Sequence, residues 1–116
     1  MTLFQKIDTA LDGLGIPVEE DFFGDGQKQY ITFTLTRDGA AVMADNEPQN
    51  EVADLQIHWF LPRDIEFFST QKQIRRRLLN AGFTWPVITS LVEPDNKTRH
   101  IIFECEVEND EELEVD

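Results

Sequence analysis

The chain has 116 residues, 41% of them hydrophobic and 10% aromatic, and a formal net charge of −13 from 10 basic and 23 acidic side chains. That length fits a single domain able to bury a core of its own, and that composition excludes an intrinsically disordered chain. The acidity excludes a free DNA-binding domain, which would need Lys and Arg to neutralise phosphates.

Cys105 is the single cysteine, so no internal disulfide can form and a reducing compartment suffices. The sequence opens with no cationic region followed by a long apolar run, and no stretch reaches the ~18 apolar residues of a membrane span. Neither a cleaved signal nor a membrane anchor is expected.

In chain order, Thr2 and Gln5 match a capping box, and Leu3, Phe4, Ile7, Leu11 and Leu14 recur at helical spacing. This predicts a helix over residues 3–14, closed by Gly15-Ile16-Pro17. Residues 18–28, with Glu19-Glu20-Asp21 and Gly24-Asp25-Gly26, are predicted as a loop. The pair Phe22-Phe23 inside it is unusual for a solvated segment; it either packs back on the core or touches a neighbouring subunit. Residues 30–36 alternate, with Ile31, Phe33 and Leu35 on one face of a half-buried strand. Arg37-Asp38-Gly39 reads as a turn, Ala40–Ala44 as a short returning strand, and residues 45–50 as a polar connection. A longer strand follows at 51–61, placing Ala53, Leu55, Ile57 and Trp59 on one face, and three consecutive antiparallel strands are the economical arrangement.

A second helix is expected after Pro62-Arg63-Asp64, with Asp64 as N-cap. Phe67, Ile74, Leu78 and Ala81 mark its apolar stripe, Phe68 and Leu79 flank it, and Gly82 stops it. Phe83–Val92 reads as a strand in which Pro86 requires the strand's start or a sheet edge. Glu93-Pro94-Asp95-Asn96-Lys97 is a turn, and Arg99–Val107 is its partner strand. The predicted fold is α+β: one domain over residues 1–107, two helices on a largely antiparallel or mixed sheet of four or five strands, in the order α-β-β-β-α-β-β. Residues 108–116 form an acidic tail expected to be flexible. It contributes six of the carboxylates, and setting those aside leaves the body at −7.

Little in the sequence points to chemistry. His58 and His100 fall in strands, opposite the apolar stripes, with no further ligands at metal-binding spacing. Cys105 is in step with Ile101, Phe103 and Val107 and reads as a small buried residue rather than a nucleophile. Ser69 and Ser90 lack a nucleophile-elbow context, and Gly24-Asp25-Gly26 is too short to cradle a phosphate. No enzyme activity, cofactor or metal is expected. The basic cluster Arg75-Arg76-Arg77, with Lys72 one turn earlier, is either a solvated helix face or a patch that meets an acidic neighbour. Arg75, Arg76, Arg77, Phe22 and Phe23 are therefore the candidate interface residues.

Four segments carry a family resemblance. They are Leu14-Gly15-Ile16-Pro17-Val18 at the end of the first helix, the strand Tyr30-Ile31-Thr32-Phe33, Ala44-Asp45-Asn46 leading to a strand that stops at Pro62-Arg63-Asp64, and the closing hairpin with Ile102-Phe103-Glu104-Cys105-Glu106-Val107. In order and spacing, over about residues 3–107, the chain resembles the small tail terminator, or tail completion, proteins of long-tailed bacteriophages and prophages. The resemblance implies a homo-oligomeric ring, commonly hexameric, that caps the tail tube and offers a surface to the head–tail connector. Its partners would be the major tail tube protein and the connector protein, with DNA passing through the lumen without specific binding. The subunit would be made in the bacterial host cytoplasm, monomeric or not before assembly, and would end in the virion tail. An acidic lining suits such a channel, because it repels phosphates. A different class of protein, an acidic DNA mimic that inhibits a DNA-acting enzyme, is the alternative.

Overall fold

The computed structural model describes the backbone of residues 3–20, 28–44 and 47–108, and the side chains of all of these except 20, 37–44 and 47–51. Helix α1 spans Leu3–Ala10, strand β1 Val18–Glu20, β2 Tyr30–Ala44, β3 Glu47–Pro62, helix α2 Phe68–Asn80, β4 Val87–Val92 and β5 Thr98–Glu108. The strands form one sheet in the order β1-β2-β3-β5-β4, with β1 parallel to β2 and the other neighbours antiparallel. This is the predicted α+β fold with two helices and a mixed five-stranded sheet.

Strand alternation selects the core face. Ile31 and Phe33 of β2, Leu55, Ile57, Trp59 and Leu61 of β3, and Ile101, Phe103, Cys105 and Val107 of β5 are buried together with Leu3, Ile7 and Leu11 and with Ile74 and Leu78 of α2. Both helices thus cover one face. The indole N–H of Trp59 keeps a partner inside this layer by donating to Gln29 Oε1 at 2.9 Å.

Several boundaries differ from the predicted ones, each for a local reason. Helix α1 stops at Ala10, and Leu11 and Leu14 continue inward from a turn whose Gly13 and Gly15 adopt positive φ. Val18–Glu20 is a strand, not a loop: Ile31 N–H donates to Pro17 O at 2.7 Å, and the two segments then pair from Val18↔Ile31. Arg37-Asp38-Gly39 is not a turn. β2 passes through it, and its conformational freedom is spent on register shifts at Leu35/Arg37 and Ala40/Val42. The three antiparallel strands expected over 30–36, 40–44 and 51–61 are therefore the two strands of one long hairpin, β2 and β3, and β1 is an additional parallel strand. Leu35 lies past the end of β1 on the sheet edge and is 47% exposed, not buried with Ile31 and Phe33.

Helix α2 begins at Phe68, four residues beyond Asp64, so Asp64 is not its cap. Glu66 Oε1 accepts instead from the N–H groups of Phe68 (2.7 Å) and Ser69 (3.2 Å). At the other end Gly82 performs as predicted. Its N–H donates to Leu79 O and that of Phe83 to Leu78 O, a Schellman turn with Gly82 at φ +100° and Phe83 buried beside it. Thr84–Pro86 precede β4 rather than belong to it, so Pro86 stands just before an edge strand, where its missing donor costs nothing. In the β4–β5 turn Asp95 accepts from Lys97 N–H, Thr98 N–H and Thr98 Oγ1, bonds that hold its carboxyl below the usual range. The Thr2 cap, the Phe22-Phe23 pair, Gly24-Asp25-Gly26, and the tail beyond Glu108 lie outside the described residues.

Candidate functional site

The Schellman turn reverses the chain so that Thr84-Trp85-Pro86 lies against the outward side of α2. Arg75 Nη2 donates to Pro86 O at 3.1 Å, and the Arg75 guanidinium lies 4.8 Å from the centre of the Trp85 ring. Arg76 approaches the same ring at 5.4 Å, and one turn earlier the Lys72 ammonium sits 4.8 Å from the Phe68 ring. Trp85 and Phe68 are 48% and 55% exposed. Lys72, Gln73, Arg75, Arg76, Arg77 and Trp85 line an open groove of about 550 Å³. Arg75 Nε is buried there with no hydrogen-bond partner.

The predicted arginine cluster is thus divided. Arg75 and Arg76 share Trp85, whereas the Arg77 guanidinium donates to the backbone carbonyl of Asp12 and ties α2 to the end of α1. Sequence reading noticed Pro86 but missed Trp85, which is the centre of the site. The signal was present: an aromatic residue just past a helix stop returns toward the last turns of that helix.

On the other side of Trp85 a cleft of about 490 Å³ carries opposite charge. It is lined by Asp54, Glu104 and Glu106 with Thr36, Thr84 and Val87. Register explains the clustering, since Asp54 pairs with Glu106, and Glu104 faces Gln56 on one side and Val87 on the other. Carboxylates directly opposite one another destabilise a sheet. Among the described residues no group of three His, Cys, Asp or Glu side chains is placed to hold a metal ion.

The two histidines, separated by 42 positions, meet on the sheet face opposite the helices. His58 and His100 occupy diagonal positions, because His58 pairs with Ile102 and Phe60 with His100. His58 Nδ1 lies 2.7 Å from His100 Nε2, and His100 Nδ1 lies 2.8 Å from Glu93 Oε1. The tautomers that satisfy both contacts have His58 donating to His100 and His100 donating to Glu93, with both rings neutral. Burial lowers the pKa of His58, and neighbouring His100 lowers it further. Burial also lowers that of His100, against an opposing pull from Glu93. Phe60 stacks on His100 at 4.1 Å and on Tyr30 at 4.9 Å, so the histidines extend an aromatic ladder. Ser90 of β4 pairs with Ile101 and so faces the other side of the sheet from the histidines, where its hydroxyl accepts from Arg99 Nη1 at 3.4 Å. Burial and the adjacent Glu106 push the Cys105 thiol up to about 12, well away from nucleophilic use.

The last surface is the hairpin itself. The last described pair of β5 with β3 is Val52↔Glu108, and that of β1 with β2 is Glu20↔Phe33. Beyond Val52, the pairs Ala40↔Glu51, Val42↔Asn50, Met43↔Pro48 and Ala44↔Glu47 run on, and among the described residues no third strand joins them. At ~3.4 Å per residue this arm is roughly 17 Å long, in a molecule of 53 × 27 × 25 Å.

Set against known proteins, the chain matches no protein-family model and no curated protein sequence. No helix among the described residues is long and apolar enough to cross a membrane.

Proposed function

We propose that the protein is a virion assembly subunit, a tail terminator that closes into a homo-oligomeric ring on the end of a bacteriophage or prophage tail tube. The observation that carries this reading is the two-stranded arm. A ribbon of two strands is marginal in water by itself, and its free edges are templates for another chain. A neighbouring subunit supplies the missing pairing, and a contact between an arm and a different surface is head-to-tail, the kind that closes into a ring when the rotation permits. The cation–aromatic groove and the carboxylate cleft on either side of Trp85 support the same geometry, because opposite charges on one subunit can meet across a repeated interface. The net charge of −13 suits a lumen through which DNA slides. In this role the subunit contacts the tail tube protein and the head–tail connector, needs no cofactor, and passes from the host cytoplasm into the virion tail.

The cluster of Asp54, Glu104 and Glu106 favours one other reading, an acidic mimic of DNA that blocks a DNA-acting enzyme. Solution mass measured alone and with a phage tail tube protein separates the two. A ring, formed alone or on the tube, supports the terminator. A species that stays monomeric with the tube protein and inhibits DNA cleavage overturns it.

A further inference from the structure

We propose that the chain's own acidic C-terminal segment, residues 109–116, docks in the groove of Lys72, Arg75, Arg76 and Trp85. Four observations converge on it. The groove is cationic, and none of Lys72, Arg75 and Arg76 meets a carboxylate among the described residues. One of its donors, Arg75 Nε, is buried and unpartnered. The segment offers five carboxylates, from Asp110, Glu111, Glu112, Glu114 and Asp116, with Leu113 and Val115 alternating among the last of them. That alternation suits a groove that sets cationic heads beside the exposed ring of Trp85.

Place is the fourth. β5 delivers its C-terminal end to the residues that form the groove: Thr84 N–H donates to Glu106 O at 2.9 Å, and Glu106 N–H donates to Thr84 Oγ1 at 2.9 Å. Trp85 is the next residue. The segment starts three residues past Glu106, and its eight residues can span roughly 26 Å when extended, ample for the distance. A tether this short gives a local concentration of ~1 mM or more, so a segment of the same chain outcompetes one from another molecule at ordinary protein concentrations. The groove is then filled in the free subunit, and an acidic partner must displace the tail to reach Arg75 and Arg76. This inference stands independently of the ring reading, since docking can be measured without any partner.

Trp85 is the probe, because the other tryptophan, Trp59, is buried. Acrylamide, a neutral quencher, reports how open the ring is. Ending the chain after Glu108 should raise quenching of Trp85 roughly twofold, as the tethered segment goes from bound to absent. A full-length chain with the five tail carboxylates changed to amides should show the same rise. So should the unaltered chain in 1 M salt, where the screening length falls to ~3 Å. Equal quenching in all these samples overturns the proposal. Protection that grows with protein concentration also overturns it, by placing the tail in a second molecule's groove.

Discussion

Replacing Gly82 by alanine isolates the cost of the turn that delivers Trp85 to its arginines. The added Cβ would lie 3.4 Å from Lys6 Nζ and 3.8 Å from Lys6 Cε, the end of a side chain free to move aside. Packing therefore contributes little, and the backbone decides. At φ +100° an L-residue is well past the left-handed minimum and carries a penalty of ~1–2 kcal/mol. The stiffer unfolded chain returns less than that, leaving a net loss of about 1 kcal/mol. For a domain of this size the loss lowers the melting temperature by about 4 °C. Thermal and urea unfolding followed by circular dichroism measure it. Gly15→Ala is the control: φ is +77° and nothing lies within 4 Å, so its loss should be similar. If Gly82→Ala is neutral or stabilising while Gly15→Ala is costly, the backbone account of this turn is wrong.

Both histidines have pKa values lowered by burial, so the folded state holds them neutral while the unfolded chain protonates near pH 6.5. Their contribution is complete above that pH and is lost as pH falls from 6.5 through the folded values; His58→Phe should flatten this part of the stability–pH curve, and an unchanged slope would refute the assignment. Cys105 should resist thiol reagents at neutral pH until the chain unfolds, and Cys105→Ser should cost ~1–3 kcal/mol because a buried hydroxyl replaces an apolar sulfur; rapid labelling of the native protein would contradict its burial. Arg76 is exposed and lies over the half-exposed Trp85 ring at 5.4 Å, so Arg76→Glu should change stability by no more than ~0.5 kcal/mol. The same change should weaken assembly by reversing the groove's charge; undiminished assembly would leave the arginine as a solvated side chain.

What could be read from sequence followed from period and punctuation. The two-residue alternation of Ala53 to Trp59 and of Ile101 to Val107 identified the core face, and Gly82 and the Glu93–Lys97 turn marked two reversals, because these signals are local. Features made by register were hidden. Nothing near His58 announces His100; they meet because β3 and β5 pair with Phe60 opposite His100. Arg37-Asp38-Gly39 carries turn chemistry, yet pairing across β3 overrides it and the glycine serves a bulged strand. β1 was missed because three residues paired with a distant strand leave no periodicity to detect. The arginine run was visible as a cluster, but not its division between Trp85 and the carbonyl of Asp12, which depends on how α1 and α2 cross.

The central claim is that the β2–β3 arm joins copies of this chain into a ring. It is tested most directly by native mass measurement, with the tail tube protein present, of the full chain and of a chain in which residues 40–51 are replaced by Asn-Gly. Gly39 and Val52 are paired neighbours, so a two-residue turn can join them and leave the rest of the sheet intact. The account predicts a closed ring for the full chain and a folded monomer for the shortened one. A shortened chain that still forms the ring, or a full chain that never does, would contradict it.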